Sequence, residues 1–342
     1  MRVDHDILEL RTREPFHIAR PSDPHGRRNV RVRLVADDGG EGIGEAAPNA
    51  FYGETAETVA AVIPRLAALL EKEQDPFALE RIEGSLETAV RRNPAARSAI
   101  SAALHDLVGR RLGQPVWRLW GLDPAAAPLS SYTLGMAGPE ETREKARAAA
   151  GRPVLKVKVG RPDDEARLRA IREEAPDALL YVDANTAWTA KEALRRMPML
   201  EELGVAFVEQ PLHPRDREGL RLLRRRARLP IVADESCETA ADIPPLLGAV
   251  DGINIKLAKA GSLREARRMA EVARAHGLIV MLGCMVESTL GIAAAVQLAP
   301  LMDYLDLDGA LLLANDPFRG PGMNEDGTIR FNTEPGLGVT PA

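Results

Sequence analysis

Cysteine is nearly absent: Cys237 and Cys284 are the only two in 342 residues. Their spacing fits no zinc or redox motif and offers no disulfide framework, so a reducing cytoplasm is the simplest setting. No run of 18 apolar residues exists, and no membrane span is expected. The start, Met1-Arg2-Val3-Asp4-His5-Asp6, lacks the apolar core of a signal peptide, so none is expected. A strong charge of one sign is missing too. The net charge of −5 provides no basic face for a nucleic acid. Aromatic residues make up only 4% of the chain, so the adjacent Phe51-Tyr52 in the loop 47–54 stands out as a candidate ligand wall. What is present is ordinary. A hydrophobic share of 45% in a chain this long supplies core for about two domains.

Residues 1 to about 50 read as β structure. Val30, Val32 and Leu34 alternate with Arg31 and Arg33 before the turn Asp38-Gly39-Gly40. The polar stretch 20–28 has two readings, a hairpin loop or a mobile lid over a substrate. Residues 55 to about 115 read as helices. Thr55 or Glu54 caps the first, Pro76 suits the first turn of the second, and Ala96–Leu112 places Ile100, Ala103, Leu104, Leu107 and Val108 on one face. His105 on that face reads as structural. From about Ser130 the pattern changes. Apolar strand-like runs end at Lys158, Asp183, Glu209, Asp234, Lys256, Met281 and Asp306, one every 22 to 26 residues. That interval is one strand, one helix and two short loops. A polar residue at nearly every strand end describes the top of a parallel α/β barrel.

Asp183, Glu209 and Asp234 end three consecutive strands, and neighbouring strands lie about 4.8 Å apart. Three carboxylates that close repel one another unless a cation sits among them. All-oxygen ligation with open positions suits Mg²⁺. Lys156 and Lys158 precede this triad and Lys256 follows it, which puts lysines on opposite sides of the metal. A lysine beside other cations and a metal is expected to have a lowered pKa and to act as a base near neutrality. Two such bases facing one metal-bound substrate fit 1,1-proton transfer at an α-carbon through a metal-stabilised enediolate.

Lys156-Val157-Lys158, Val182-Asp183-Ala184-Asn185, Val208-Glu209-Gln210-Pro211, Ala233-Asp234-Glu235-Ser236 and Asn254-Ile255-Lys256 resemble the enolase superfamily, in its muconate-lactonizing subgroup. Each motif is weak alone; five in order at barrel spacing are specific. Within the superfamily, Leu305-Asp306-Leu307-Asp308-Gly309 and Gly283-Cys284-Met285 resemble the dipeptide epimerases. The resemblance implies that Asp306 and Asp308 hold a substrate α-ammonium, with Cys284 and Met285 beside it. It implies that Lys158 serves the L centre and Lys256 the D centre. An Arg in the first loop would pair with a glutamate side chain, a part open to His25, Arg27 or Arg28, while Asp23 would favour a cationic one. One departure is Leu257-Ala258-Lys259, where related epimerases often have Asp before the second Lys.

The expected architecture is α/β, a modified TIM barrel (β/α)₇β at 123–313. An α+β capping domain comes from 1–122, with 314–342 packing back on it. The expected function is Mg²⁺-dependent epimerisation of a dipeptide such as L-Ala-D/L-Glu, with hydrophobic dipeptides next. A cytoplasmic homo-oligomer without nucleic-acid or membrane partners is expected. Rival activities are o-succinylbenzoate synthesis with N-acylamino acid racemisation, and muconate cycloisomerisation; a rival of another class is a silent small-molecule binding protein.

Overall fold

Three antiparallel strands open the chain: β1 (Arg2–Arg11), β2 (Gly26–Val35) and β3 (Glu41–Ala46). The computed structural model describes residues 1–342 apart from 21, 22 and 74. On β2, alternation buries Val30, Val32 and Leu34 completely and leaves the arginines between them on the wetter face. Helix α1 (Ala56–Leu70) starts at a capping box between Thr55 and Thr58. Helix α2 begins at Leu79, not at Pro76, because the carboxylate of Asp75 takes the amide of Phe77 and folds 75–78 into a turn first (α2 spans Leu79–Ala89). Helix α3 (Pro94–Leu112) is buried on nearly all sides, where its sequence marked a single apolar face. It lies between β3 and the barrel segment 257–260, so even Ser98, Ser101 and Asp106 are covered. Gly42 and Gly44 permit the approach on the β3 side. A Cβ at Gly44 would stand 2.1 Å from the Ala99 carbonyl oxygen, and one at Gly42 2.0 Å from that of Ala103.

The second sheet is parallel and runs in chain order through eight strands: β4 (Tyr132–Leu134), β5 (Val154–Lys158), β6 (Leu179–Asp183), β7 (Val205–Glu209), β8 (Ile231–Ala233), β9 (Gly252–Ile255), β10 (Ile279–Gly283) and β11 (Tyr304–Asp306). The first strand begins at Tyr132, two residues after the change of pattern at Ser130. A parallel bridge between Ser130 and Leu305 joins the last strand back to the first and closes the barrel. Tyr181, Phe207 and Tyr304 fill the barrel interior below the strand ends, with Tyr181 and Phe207 stacked 4.4 Å apart. Helices between the strands cover the outside, and arginines such as Arg224 to Arg226 lie on solvated faces.

Buried polar links join cap to barrel. Asn29 Nδ2 donates to Glu45 Oε1 at 2.7 Å and to the Val286 carbonyl at 3.1 Å, and the Ser288 amide donates to Glu45 Oε1 at 3.0 Å. The tail also returns to the cap: the Leu337 amide donates to Asp106 Oδ1 at 2.8 Å and Trp117 Nε1 to the Asn332 carbonyl at 3.3 Å. Within the tail, Ile329–Arg330 pairs with Gly322–Met323. His105 is a buried structural residue, its Nδ1 2.9 Å from the Ser101 carbonyl. Among the described residues no helix is long and apolar enough to cross a membrane.

Candidate active site

The strand pairing sets Lys158, Asp183 and Glu209 side by side, with Asp183 opposite Lys158 and Glu209 opposite Asp183. The chain then turns sharply. Asn185 and Gln210 adopt left-handed conformations (φ 43° and 34°), costly for residues with a Cβ and tolerated where neighbours enforce them. Gln210 is held firmly. Its Nε2 donates to the Leu212 carbonyl and Ser236 Oγ, and its Oε1 accepts from the amides of Asp234 and Ser236, all within 2.8–3.0 Å. It thereby ties the end of β7 to the end of β8.

Asp183, Glu209 and Asp234 each offer a carboxylate oxygen, and the three oxygens lie within 4.8 Å of one another, fully buried. Lys156 Nζ is 2.7 Å from Glu209 Oε2, 2.7 Å from Asp306 Oδ2 and 3.3 Å from Asp183 Oδ2. Lys156 thus meets Glu209 Oε2 as a buried ion pair. Asn254 Nδ2 donates to its other oxygen at 2.7 Å. Lys158 Nζ sits 2.6 Å from Asp183 Oδ2, and Lys256 Nζ 2.8 Å from Asp234 Oδ2. Gly283 makes room for Lys256, since a Cβ there would stand 3.1 Å from its Cε.

Lys259, in the sequence only the last residue of a departing motif, is the most densely hydrogen-bonded lysine in the site. It is 1% exposed and donates to Asp234 Oδ1, the Asp234 carbonyl and the carbonyls of Cys237 and Asn254, at 2.5–3.0 Å. Asp234 is thus gripped on one oxygen by Lys259 and on the other by Lys256.

Six carboxylates (Asp183, Glu209, Asp234, Glu235, Asp306, Asp308) face five cations (Lys156, Lys158, Lys256, Lys259, Arg20). Burial opposes charge on Asp183 and Asp234, but Lys158 and Lys156 for the first, and Lys256 and Lys259 for the second, hold both well below the usual range. Burial and then Asp183 push Glu209 up to about 7, and burial and then Asp306 push Asp308 up to about 7. Burial works against charge on Lys156 and Lys256, yet Asp306 and Glu209 around the one, and Asp234 beside the other, outweigh it and hold both above the ordinary lysine value. These carboxylates act on the lysines as counter-ions.

A cavity of about 90 Å³ opens above the triad, lined by Lys158, Lys256, Asn185, Cys284, Met285, Asp306 and Asp308 from the barrel. Phe16, Ile18, Arg20, Arg27, Asn29, Pro48 and Asn49 line it from the cap. Asp306 is already engaged by Lys156, Ser131 Oγ (2.9 Å) and Thr133 Oγ1 (3.1 Å); Asp308 Oδ2 takes the Thr133 amide at 2.6 Å. Of the loop candidates, only Arg27 lines this cavity. It belongs to a strand, not a loop, because β2 pairs with β1 back to Gly26. Arg28 points to the other face and pairs with Glu9 and Glu57. His25 lines an outer groove of about 880 Å³ together with Phe51, and Tyr52 stacks edge-on against Phe51. Pro21 and Ser22 of the stretch read as a lid lie outside the described residues.

Carboxylates and lysines converging at the C-terminal mouth of a barrel, under a separate α+β cap, define an enolase-type architecture. Residues 140–342 match the family described as enolase C-terminal domain-like, and residues 3–121 the mandelate racemase / muconate lactonizing enzyme N-terminal domain. The chain belongs to the mandelate racemase / muconate lactonizing family of the enolase superfamily. It is similar to the L-Ala-D/L-Glu epimerase of Bacteroides thetaiotaomicron, at 38% identity over 99% of this chain and 88% of that one. It is similar to the L-Lys-D/L-Arg epimerase of Methylococcus capsulatus, at 39% identity over 97% and 98%. Among solved structures, the dipeptide epimerase of Enterococcus faecalis V583 complexed with Mg and L-Leu-L-Tyr has a TM-score of 0.93 at 33% identity, covering 99% of each chain.

Proposed function

We propose that this chain is a Mg²⁺-dependent dipeptide epimerase, an isomerase that inverts the α-carbon of the C-terminal residue by 1,1-proton transfer. The observation that carries the reading is the pair Lys158 and Lys256. They end β5 and follow β9, four strands apart in a barrel of eight, and their ammonium groups meet different members of one carboxylate triad. The triad fits Mg²⁺ on its own chemistry: three buried hard oxygen donors within 4.8 Å of one another. Asp183, Glu209 and Asp234 would hold Mg²⁺, which would supply positive charge to the substrate carboxylate and offset the carboxylate field on the lysines. Lys158 takes or returns the α-proton on one face of the substrate and Lys256 on the other. Lys156, buried between Glu209 and Asp306, stays protonated and adds fixed positive charge beside the reacting carboxylate. Asp308, with Asp306 behind it, receives the α-ammonium next to Cys284 and Met285. The cap in this reading is 1–122 with 314–342, and the barrel is 123–313.

Arg27 favours an acidic second residue, as in Ala-Glu. Its guanidinium faces the cavity and donates to the Asp23 and Gly26 carbonyls only, with no carboxylate in ion-pair reach among the described residues. Burial, partly offset by Asp23, lowers its pKa, so a second anion at this point is stabilising. The test is α-proton exchange in D₂O for Ala-Glu, Ala-Phe and Ala-Lys, followed by proton NMR. Exchange with inversion is expected, fastest for Ala-Glu; a silent binding protein exchanges none. Replacing Arg27 with Met should raise KM for Ala-Glu about tenfold more than for Ala-Phe, the worth of one charge-assisted hydrogen bond.

A further inference from the structure

Arg20 follows β1 in the chain and reaches the rim of the barrel. Its guanidinium is ion-paired with Glu235 and lies 4.2 Å over the ring of Phe51. Three separate pieces of chain therefore meet at one side chain: the segment after β1, the short helical turn Ala50–Tyr52, and the end of β8. Glu235 is the next residue after Asp234, and its side chain is 0% exposed. Its Oε1 also lies 3.4 Å from Asn185 Nδ2, and its Oε2 has no hydrogen-bond donor. Asp234 and Asp183 repel it, and Arg20 and Lys256 are the cations that offset them.

We propose that Arg20 and Glu235 form a clasp that seats the two cap segments on the barrel, and that they position the cap wall of the active site without touching substrate. The two arginines of the cavity then divide the work. Arg27 has no carboxylate partner and faces the substrate. If Arg20 left to bind a substrate anion, Glu235 would be buried, unpaired and beside Asp234, an expensive arrangement. The ring of Phe51 over the guanidinium adds a cation–π contact and ties the second segment to the same point. A closed cap excludes water from the reacting carbon, so loss of the clasp should lower turnover of every dipeptide alike.

The clasp is independent of the substrate, although its effect on turnover rests on the epimerase reading. The experiment compares Arg20→Met, Arg20→Lys, Glu235→Gln and the double variant R20M/E235Q. Amide hydrogen exchange is read in peptides covering 12–20 and 47–54, and kcat/KM is measured on Ala-Glu and Ala-Phe. R20M and E235Q should each speed exchange in 47–54 by about tenfold or more and lower kcat/KM by a similar factor on both substrates. The double variant should be no worse than the worse single one, because the pair acts as a unit. R20K should fall between wild type and R20M. Phe51→Leu, which leaves both charges in place, should loosen 47–54 alone, so the test survives if E235Q does not fold. Unchanged exchange in 47–54 for R20M, with a loss confined to Ala-Glu, would make Arg20 a substrate residue and end the proposal. Additive effects in the double variant would end it too. If the wild type moves no α-proton in any dipeptide, the epimerase reading fails, while the exchange data still decide the clasp.

Discussion

At the scale of single residues, Lys158 and Lys256 decide what the site can do. Each holds a different triad carboxylate, at 2.6 and 2.8 Å, from opposite sides of the barrel. A planar intermediate between them shows one face to each, so each lysine reaches the α-proton of one epimer only. Lys256→Ala should abolish inversion in both directions, yet leave D₂O exchange of one epimer, the L epimer on the assignment of Lys158 to the L centre that the family resemblance implies. Lys158→Ala should leave exchange of the D epimer alone. The residual rates will be low, because each change also removes a cation from the reacting carboxylate. Proton NMR of each pure epimer with each variant is the measurement. Exchange of both epimers by either single variant contradicts the assignment.

At the scale of elements, the cap depends on two close fits. The first is β3 on α3, where Gly44 and Gly42 leave no space for a side chain. Gly44→Ala should cost about 3 kcal/mol, the upper end for overpacking, because backbone blocks the new methyl. Urea titration reads this directly, and a loss under 0.5 kcal/mol would mean that the two elements separate easily. The second fit is Glu54 on the start of α3, where its carboxylate accepts from the Ala95 amide at 3.2 Å. Burial raises its pKa from 4.5 to about 7, although the backbone donors at Ala95 and Ala96 favour its charge. The folded state therefore binds this proton more tightly than the unfolded chain. The stability it contributes is full below about pH 4.5 and is lost as the pH rises through about 7. Glu54→Gln should flatten that part of the curve of Tm against pH, measured without metal.

For the whole molecule, the six buried carboxylates are the main electrostatic strain, and a divalent cation is the natural relief. Saturating Mg²⁺ should raise stability by about 2.7 kcal/mol at a hundredfold excess over Kd, or several degrees in Tm. EDTA should abolish turnover, and added Mg²⁺ should restore it. Activity that survives exhaustive chelation would remove the metal from the scheme. Cap and barrel are expected to melt together, since the Glu45–Asn29–Ser288 links and the tail contacts on α3 are buried.

The barrel and its ligands were legible in the chain alone because the signal is one-dimensional. An apolar run every 22 to 26 positions, nearly always ending in a charged residue, can arise from little but repeated strand and helix, and strand ends are neighbours by construction. Asp183, Glu209, Asp234, Lys158 and Lys256 all carry that signal. Lys259, Gln210 and Arg20 do not. Lys259 and Gln210 meet Asp234 from 25 and 24 residues away, Arg20 meets Glu235 from 215, and nothing local marks a lysine as buried or an arginine as paired. Arg27 and Arg28 show the limit most plainly. They are adjacent and chemically identical, so composition cannot separate them. The pairing of Leu10 with Arg27 and Glu9 with Arg28 fixes the register, and strand alternation turns one guanidinium toward the cavity and the other toward Glu9 and Glu57. A register is set by which strands meet, and only the tertiary structure decides that.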